Sequence, residues 1–140
     1  MLRYQPQIVH FSGHGSKSGK IVLQDENGKA KTVEPPVLKE LFRIAKRDIC
    51  CVVLNACFSQ DQAEVIAQEI DCVIGMSREF DDEAAISFSA GFYSGLGYGL
   101  SIQEAFELGK NAIDPAKFPG EDVPQLLAKP GVNPAEIKFC

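Results

Sequence analysis

Two side chains that could form a nucleophile and its base each follow a strongly apolar run of the sequence. His14 follows the run at 8–11, and Cys57 follows the run at 51–54. Each run is typical of a buried β-strand that leads into a turn of small and polar residues. A cysteine paired with a histidine is the arrangement that nucleophilic thiol catalysis requires, because the imidazole can take the thiol proton. The pair is therefore the first candidate for chemistry in this chain.

The two turns are expected to meet at one edge of a sheet, because ligands of parallel α/β sheets bind beyond the carboxyl ends of the strands. Phe11 and Leu54 would end the two strands concerned. His14 is then the base that generates the thiolate of Cys57. The backbone N–H groups of Gly15 and Cys57 would together form an oxyanion hole with two donors. These residues predict acyl transfer through a covalent thioester.

Other functions for the same residues have less support from the sequence. His10 lies within the first predicted strand, where a packed or hydrogen-bonded core histidine is expected. A zinc site built from His10, His14, Cys57 and Cys72 lacks the spacing of paired zinc ligands, so no metal is expected. The glycines around His14 form too short a loop to hold a nucleotide, so no cofactor is expected. A small-molecule hydrolase with the same Cys–His pair is an alternative that no phosphate or cofactor cradle supports.

The composition indicates a single globular domain over residues 1–140. Of the 140 residues, 45% are hydrophobic and 24% charged, which is enough apolar material for one core. The net charge of −5 and the scattered 14 Lys and Arg argue against binding to nucleic acid. The sequence shows neither a signal peptide nor an apolar run of the roughly 20 residues that a membrane span needs. The odd count of 5 cysteines favours reduced thiols in the cytoplasm.

The order of apolar patterns predicts strands alternating with helices, and hence an α/β fold with a mainly parallel sheet. Leu38, Leu41 and Ala45 recur at helical spacing, which predicts that they form the buried stripe of the first helix. Ser59 with Gln62, and Ser101 with Glu104, are predicted capping boxes. The strands are predicted at 6–11, 20–24, 31–33, 49–54 and 72–76, with a hairpin turn at 25–28. Helices are predicted to begin near 35, 60, 83 and 102, and a terminal strand is predicted at 135–139 within an otherwise irregular tail at 114–140.

Three motifs resemble the CHAT domain, a caspase-like, clan CD cysteine peptidase family related in fold to caspases, separase and gingipains. They are His-Phe-Ser-Gly-His-Gly at 10–15, Val-Leu-Asn-Ala-Cys at 53–57 and Val-Ile-Gly-Met-Ser at 73–77. The order of histidine before cysteine is also that of caspase-like enzymes. The resemblance is strongest over 6–113. It implies a caspase-like three-layer sandwich in which His14 and Cys57 form the catalytic dyad of an endopeptidase acting on a protein or peptide substrate.

The sequence departs from the family pattern at its start, because CHAT domains carry further strands before the one that bears the histidine. We therefore expect the strand at 6–11 to be an open sheet edge, which proteins usually cover or pair. A second copy could pair with this strand about a two-fold axis, or a partner chain could complete the sheet. The same departure leaves an alternative function, a truncated protein-interaction or assembly module that does not cleave.

The loop from Ser77 to Asp82 is expected to contact the substrate residue before the scissile bond, because it follows the strand beyond Cys57. Asp81 or Asp82 could pair with a basic side chain, as an acidic pocket residue does in separase. Arg78 could instead hold an acidic side chain, as arginines do in caspases. A structural alternative is that Asp82 caps the next helix and that Arg78 is solvated. Two acidic residues against one arginine favour a basic or neutral substrate residue.

Overall fold

A computed structural model describes residues 7–12, 14–15, 21–24, 30–46, 49–113 and 122–138, with the backbone alone at 12, 14, 15, 21–24, 30–33, 35 and 45. The chain alternates strands with helices, as the sequence predicted. The elements are β1 (Ile8–Ser12), β2 (His14–Gly15), β3 (Ile21–Gln24), β4 (Ala30–Val33), α1 (Pro35–Ala45), β5 (Cys51–Asn55), α2 (Gln60–Ile66), β6 (Cys72–Met76), α3 (Asp82–Gly97), α4 (Ile102–Asn111), β7 (Pro124–Ala128) and a 3₁₀ turn (Pro134–Glu136).

Four strands form one mixed sheet in the order β1-β5-β6-β7. β1, β5 and β6 run parallel, and β7 is antiparallel to β6. The pairing of β1 with β5 runs from Ile8 opposite Cys51 to Ser12 opposite Asn55. The predicted α/β fold with a mainly parallel sheet is confirmed, and the carboxyl ends of β1 and β5 lie side by side.

Side-chain alternation along the central strands divides the core into two layers, one on each face of the sheet. Cys51, Val53 and Ile74 pack with α3 and α4. Val52 and Leu54 point to the other face and pack with α1 and α2. The result is the predicted three-layer sandwich. Within the described ranges, no helix combines the length and apolarity needed to cross a bilayer.

A second, smaller sheet has the order β2-β3-β4. The predicted hairpin is confirmed, because β3 and β4 pair antiparallel with Ile21 opposite Val33. Its predicted turn at 25–28 lies outside the described residues. β2 joins the hairpin through His14 opposite Val22. His14 therefore belongs to the small sheet, although the strand that precedes it belongs to the large one.

The buried stripe of α1 differs from the predicted one at Leu41, and the side chain of Ala45 lies outside what the structure describes. Leu38 is buried as expected, but Leu41 is 43% exposed and Phe42 takes the buried position, with 2% exposure. Leu38 and Phe42 are four residues apart, about one turn of a helix, so both side chains lie on the face of α1 that packs against the sheet. Leu41 instead joins Val37 and Ile44 as an exposed apolar stripe.

One of the two predicted capping boxes is present. Ser101 and Glu104 form it reciprocally at the start of α4. The prediction for Ser59 and Gln62 is wrong, because the Ser59 side chain makes no cap hydrogen bond to α2. Its hydroxyl instead bonds to backbone groups of two strands. Gln62 is buried against the core rather than reaching back to the cap position.

The strand in the C-terminal tail lies earlier in the sequence than predicted. The prediction of a strand at 135–139 is wrong, since Pro134–Glu136 forms a 3₁₀ turn. The side chain of Asn133 accepts a hydrogen bond from the N–H of Ala135, a local bond that favours a turn over an extended chain. The strand of this tail is β7, which begins at Pro124, a position in a strand that tolerates proline.

Helices α3 and α4 touch through backbone atoms. A Cβ at Gly91 would lie 2.9 Å from the Cα of Gly109, and one at Gly95 would lie 3.0 Å from the Cα of Ala105. Only glycine permits this approach, because a methyl group would overlap the neighbouring helix. Separate side-chain contacts link α3 to β1 through Tyr93 and His10, and to β5 through Ser89 and Asn55.

Candidate active site

The two candidate catalytic residues follow the carboxyl ends of adjacent parallel strands. Ser12 ends β1 and Asn55 ends β5, and these two residues are register partners. His14 and Cys57 each lie two residues further along the chain. Neighbouring strands are about 4.8 Å apart, so the two segments leave the sheet side by side. For His14 and Gly15 the structure describes the backbone alone, so the predicted roles of the imidazole and of the oxyanion donors remain predictions.

Cys57 lies in a tight turn directly after β5. The next residue, Phe58, has a φ of 57°, a left-handed conformation that is uncommon and strained for a bulky residue. The N–H of Phe58 donates to the carbonyl oxygen of Arg78 at 3.3 Å. The loop that follows β6 thus holds the turn in this conformation.

The sulfur of Cys57 contacts that same loop. It accepts a hydrogen bond from the N–H of Phe80 at 3.3 Å, and its S–H donates weakly to the Phe80 carbonyl at 3.8 Å. The Phe80 side chain is buried in the core beneath α3, which fixes its backbone. The thiol therefore has a defined position against a fixed backbone segment, while Cys57 itself is half-buried.

Two of the other described thiols are poor nucleophiles. Cys51 and Cys72 are fully buried in the sheet. Burial raises the pKa of Cys72 to about 12, and it holds the pKa of Cys51 far above the usual range, with the neighbouring Cys72 adding to the effect. Cys50 is half-buried like Cys57, but it precedes β5 and lies at the opposite end of that strand. Burial and position thus favour Cys57 as the reactive thiol.

The first half of the predicted specificity loop is bound to the segment before β7. The N–H of Ser77 donates to the carbonyl of Val123 at 2.9 Å. The Arg78 guanidinium forms two hydrogen bonds of 3.0 Å to the two carboxylate oxygens of Asp122. This contact lowers the pKa of Asp122. Arg78 is therefore paired within the chain rather than simply solvated.

The second half of the loop places its two carboxylates differently. Asp81 is the N-cap of α3, and its side chain accepts hydrogen bonds from the N–H groups of Glu83 and Ala84. The suggestion that Asp82 caps this helix is wrong, because Asp82 is its first helical residue. Asp82 is exposed. Of the two acidic side chains, Asp82 is the one that the helix cap leaves available to a substrate.

His10 lies within β1, opposite Val53 of β5. Its Nδ1 lies 2.7 Å from the hydroxyl of Tyr93, which confirms the predicted hydrogen bond. The residue is exposed at the sheet edge rather than placed in the core. Tyr93 partly shields the ring, and this burial lowers the pKa of His10. Within the described residues, no three His, Cys, Asp or Glu side chains lie close enough to hold a metal ion.

Three features of this site were not predicted from the sequence. The N–H of Phe80 is a backbone group, so no residue type announces it. Asp122 is 44 residues from Arg78 along the chain and cannot be paired with it by local spacing. The Nδ2 of Asn55 lies 3.4 Å from the Oγ of Ser89, which links the end of β5 to α3. Of these residues, only Asn55 could have been singled out from the local sequence, because it is a polar residue directly after an apolar run.

A mixed sheet of mainly parallel strands, with the Cys-bearing turn at its carboxyl edge, is an α/β architecture consistent with the caspase-like fold. The chain belongs to the CHAT domain family, whose model matches residues 1–113. It is similar to a Roc-COR-CHAT protease from an unknown prokaryotic organism, with 28% identity over 127 residues. It is also similar to a probable protease of Gillisia limnaea, with 30% identity over 119 residues.

Both relatives are much longer proteins. The matched stretches cover 86% and 80% of this chain but only 12% and 20% of the two relatives. The similarity therefore concerns a small part of each relative, one named a protease and the other a probable protease.

Proposed function

We propose that this chain is a cysteine endopeptidase domain with Cys57 as nucleophile and His14 as general base. The observation that carries the proposal is the pairing of Ser12 with Asn55, since it starts the two candidate segments side by side. Membership of the CHAT family and the two protease-named relatives support the same reaction class. The partly exposed, hydrogen-bonded sulfur supports Cys57 as the attacking atom.

In this reaction His14 takes the thiol proton of Cys57, and the sulfur attacks the carbonyl carbon of the substrate peptide bond. The developing oxyanion would accept hydrogen bonds from the N–H groups of Gly15 and Cys57. His14 then donates its proton to the leaving amine as the C–N bond breaks, which leaves a thioester. Water, deprotonated by His14, hydrolyses the thioester and releases the thiol. The Phe80 N–H would hold the sulfur in place throughout.

The alternative is a non-catalytic assembly module, and a covalent peptide probe distinguishes the two. A peptidyl acyloxymethyl ketone should label Cys57 and leave Cys50, Cys51 and Cys72 unmodified, as read by peptide mass spectrometry. The replacements Cys57→Ala and His14→Ala should each abolish labelling and peptide hydrolysis, whereas Cys50→Ala should preserve both. Full hydrolytic activity in Cys57→Ala protein would exclude the proposed mechanism. No labelling of folded wild-type protein would favour the assembly module.

We also propose that a second copy covers the edge at β1, and the surface of α1 supports this. Lys39 donates to the side chain of Gln68 at 2.7 Å, so the flank of α1 that carries Lys39 faces α2. With 3.6 residues per turn, Val37, Leu41 and Ile44 lie on the opposite flank. They are 60%, 43% and 60% exposed and form an apolar stripe on the flank of α1 away from α2. Among the described strands, β1 pairs with β5 alone, so its other side is the open side of this sheet.

The opposite face of the sheet shows a matching feature on α3. Ile86 is 68% exposed and lies two helical turns before Tyr93, on the same flank. Tyr93 contacts His10 of β1, so this flank also faces the open side of β1. Exposed apolar side chains thus border β1 on both faces of the sheet. Antiparallel pairing of two β1 strands about a two-fold axis would bring these surfaces of the two copies together.

The thiols support a proposal about location. Cys51, Cys57 and Cys72 carry free thiols in the described part of the chain. Free thiols, one of them a proposed nucleophile, suit a reducing compartment such as the cytoplasm. We therefore propose cytoplasmic function, which fractionation of the native cells would test.

A further inference from the structure

The carboxyl ends of β5 and β6 are joined by a side chain rather than by direct pairing. The register of the two strands covers three pairs, from Cys51–Cys72 to Val53–Ile74. Beyond these pairs the hydroxyl of Ser59 lies between the strands. It donates to the carbonyl of Leu54 at 3.1 Å and accepts from the N–H of Met76 at 2.9 Å.

Ser59 is fitted to this position. It is 1% exposed, and its one hydroxyl proton and one lone pair are both used by backbone groups. β6 makes room for it at Gly75, where a Cβ would lie 3.1 Å from the carbonyl oxygen of Ser59. Only a side chain with a hydroxyl on Cβ can satisfy both strands at once, because alanine would leave a buried N–H and a buried carbonyl without partners.

The two hydrogen bonds enclose the turn that carries the thiol. The bond from Ser59 to Leu54 joins the ends of the short loop at 55–58, and the bond from Met76 ties that closed loop to β6. Cys57 lies in this loop, next to the left-handed Phe58. A strained backbone of this kind persists only where its surroundings fix it. The Ser59 hydroxyl holds Leu54, before Cys57, and the Arg78 carbonyl holds Phe58, after it.

We propose that Ser59 is a positioning residue for Cys57, which sets the location of the sulfur for attack on the substrate. The inference rests on the proposed role of Cys57 as nucleophile. The hydroxyl of Ser59 bonds to the backbone of Leu54 and Met76, so it acts on the sulfur through the loop. It holds the loop at 55–58 in the conformation in which the Phe80 N–H reaches the thiol.

The test compares Ser59→Ala with Ser101→Ala as a matched control. Ser101 is also fully buried, and its hydroxyl also accepts a backbone hydrogen bond, but at the start of α4. Folded protein is measured by circular dichroism, and active sites are titrated with the peptidyl acyloxymethyl ketone. Hydrolysis of a fluorogenic peptide then gives kcat per titrated site and KM.

We expect kcat per titrated site to fall by about 10- to 100-fold in Ser59→Ala with KM little changed, because a displacement of about 1 Å has effects of that order. Ser59→Thr retains the hydroxyl and should recover the rate, and Ser101→Ala should keep the wild-type kcat. If Ser59→Ala does not fold, Ser59→Cys, which keeps the size but donates weakly, replaces it with the same expected loss.

The possible failures are distinguishable. A Cys57→Ala protein that still hydrolyses the peptide would remove the proposed function and this inference with it. An inactive Cys57→Ala protein alongside a Ser59 variant with wild-type kcat would overturn the positioning role alone. An equal loss per titrated site in Ser59→Ala and Ser101→Ala would likewise overturn it, since both would then report a general loss of stability.

Discussion

The N–H of Phe80 donates a hydrogen bond to the sulfur of Cys57 at 3.3 Å. The two residues belong to loops that follow neighbouring strands, and the bond joins those loops at the carboxyl edge of the sheet. The sulfur is therefore part of the structure of the turn as well as the proposed reacting atom. Replacements of Cys57 should separate these two roles.

We expect Cys57→Ser and Cys57→Ala to be equally inactive but unequally stable. Serine keeps an acceptor for the Phe80 N–H, whereas alanine leaves that N–H without a partner. The difference should be about 0.5–1.5 kcal/mol in the free energy of unfolding, the net value of a typical hydrogen bond. Urea denaturation followed by circular dichroism measures it. Equal stability of the two variants would show that the hydrogen bond adds nothing to the fold.

Two glycines of the helical layer should respond to alanine in opposite ways. Gly109→Ala would place a Cβ 2.8 Å from the carbonyl oxygen of Phe88, so α3 and α4 must separate. Overpacking of this kind costs about 1–3 kcal/mol. Gly97→Ala meets no atom within 4 Å, and it should stabilise the end of α3 by up to about 1 kcal/mol. Thermal unfolding of both variants gives the comparison, and a stabilising Gly109→Ala would contradict the close contact.

The stability of the protein should fall as the pH drops from 7.5 to 5.5, in part through His10. Burial lowers the pKa of His10 from 6.5, so the unfolded chain binds a proton at a higher pH than the folded one. Stability from this group is complete above the unfolded pKa and is lost as the pH falls toward the folded pKa. Glutamine at position 10 can still bond to Tyr93 but does not titrate.

The His10→Gln variant should therefore show a smaller loss of Tm over this pH range than the wild type. The carboxylates with lowered pKa values, Glu40, Glu104 and Asp122, titrate below this window and affect both proteins equally. Differential scanning calorimetry at matched ionic strength provides the measurement. Identical pH profiles for the two proteins would mean that His10 contributes no linkage.

The specificity loop should distinguish its two carboxylates by function. Asp81→Ala removes the cap of α3 and should reduce stability by about 1 kcal/mol, and Asp81→Asn should retain most of the cap. Asp82→Asn removes a charge from the first turn of α3 and should reduce stability by only about 0.3–1 kcal/mol, but it should lower any preference for a basic residue before the scissile bond. A fluorogenic peptide panel that varies this residue alone decides. Preferred cleavage after Asp, lost in Arg78→Ala, would reverse the expected charge preference.

The proposed second copy should give a dimer whose mass is twice 15.3 kDa by light scattering at micromolar concentration. Ile44→Lys places a charge in the exposed stripe of α1 and should yield monomer. Tyr98→Lys changes an 84% exposed residue at the end of α3 and should leave the dimer intact. Val9→Pro should also dissociate it, although proline disturbs β1 itself. A monomeric wild-type protein would contradict the pairing at β1.

Much of the sandwich follows from the sequence, because buried parallel strands read as continuous apolar runs between amphipathic helices. The predictions failed where one residue type serves two purposes. Ser59 stands where a helix cap would, but a hydroxyl serves strand backbone equally well. Leu41 and Phe42 are both apolar, and only the orientation of α1 on the sheet decides which is buried. The sequence of β7 has no alternation of apolar and polar residues that would predict a strand. Its strand conformation depends instead on pairing with β6.

His14 and Cys57 come from two separately hydrogen-bonded sheets, one of three strands and one of four. The position of the thiol would depend on the packed core around β5. The position of the base would depend on the β3–β4 hairpin, whose strand pairing belongs to the other sheet. Substitutions in β3 and β4 could thus retune proton transfer without disturbing the nucleophile. If the proposed dyad is correct, catalytic rate and structural stability can diverge under separate selection, because one of its residues lies in a strand of the small sheet and the other follows a strand of the large one.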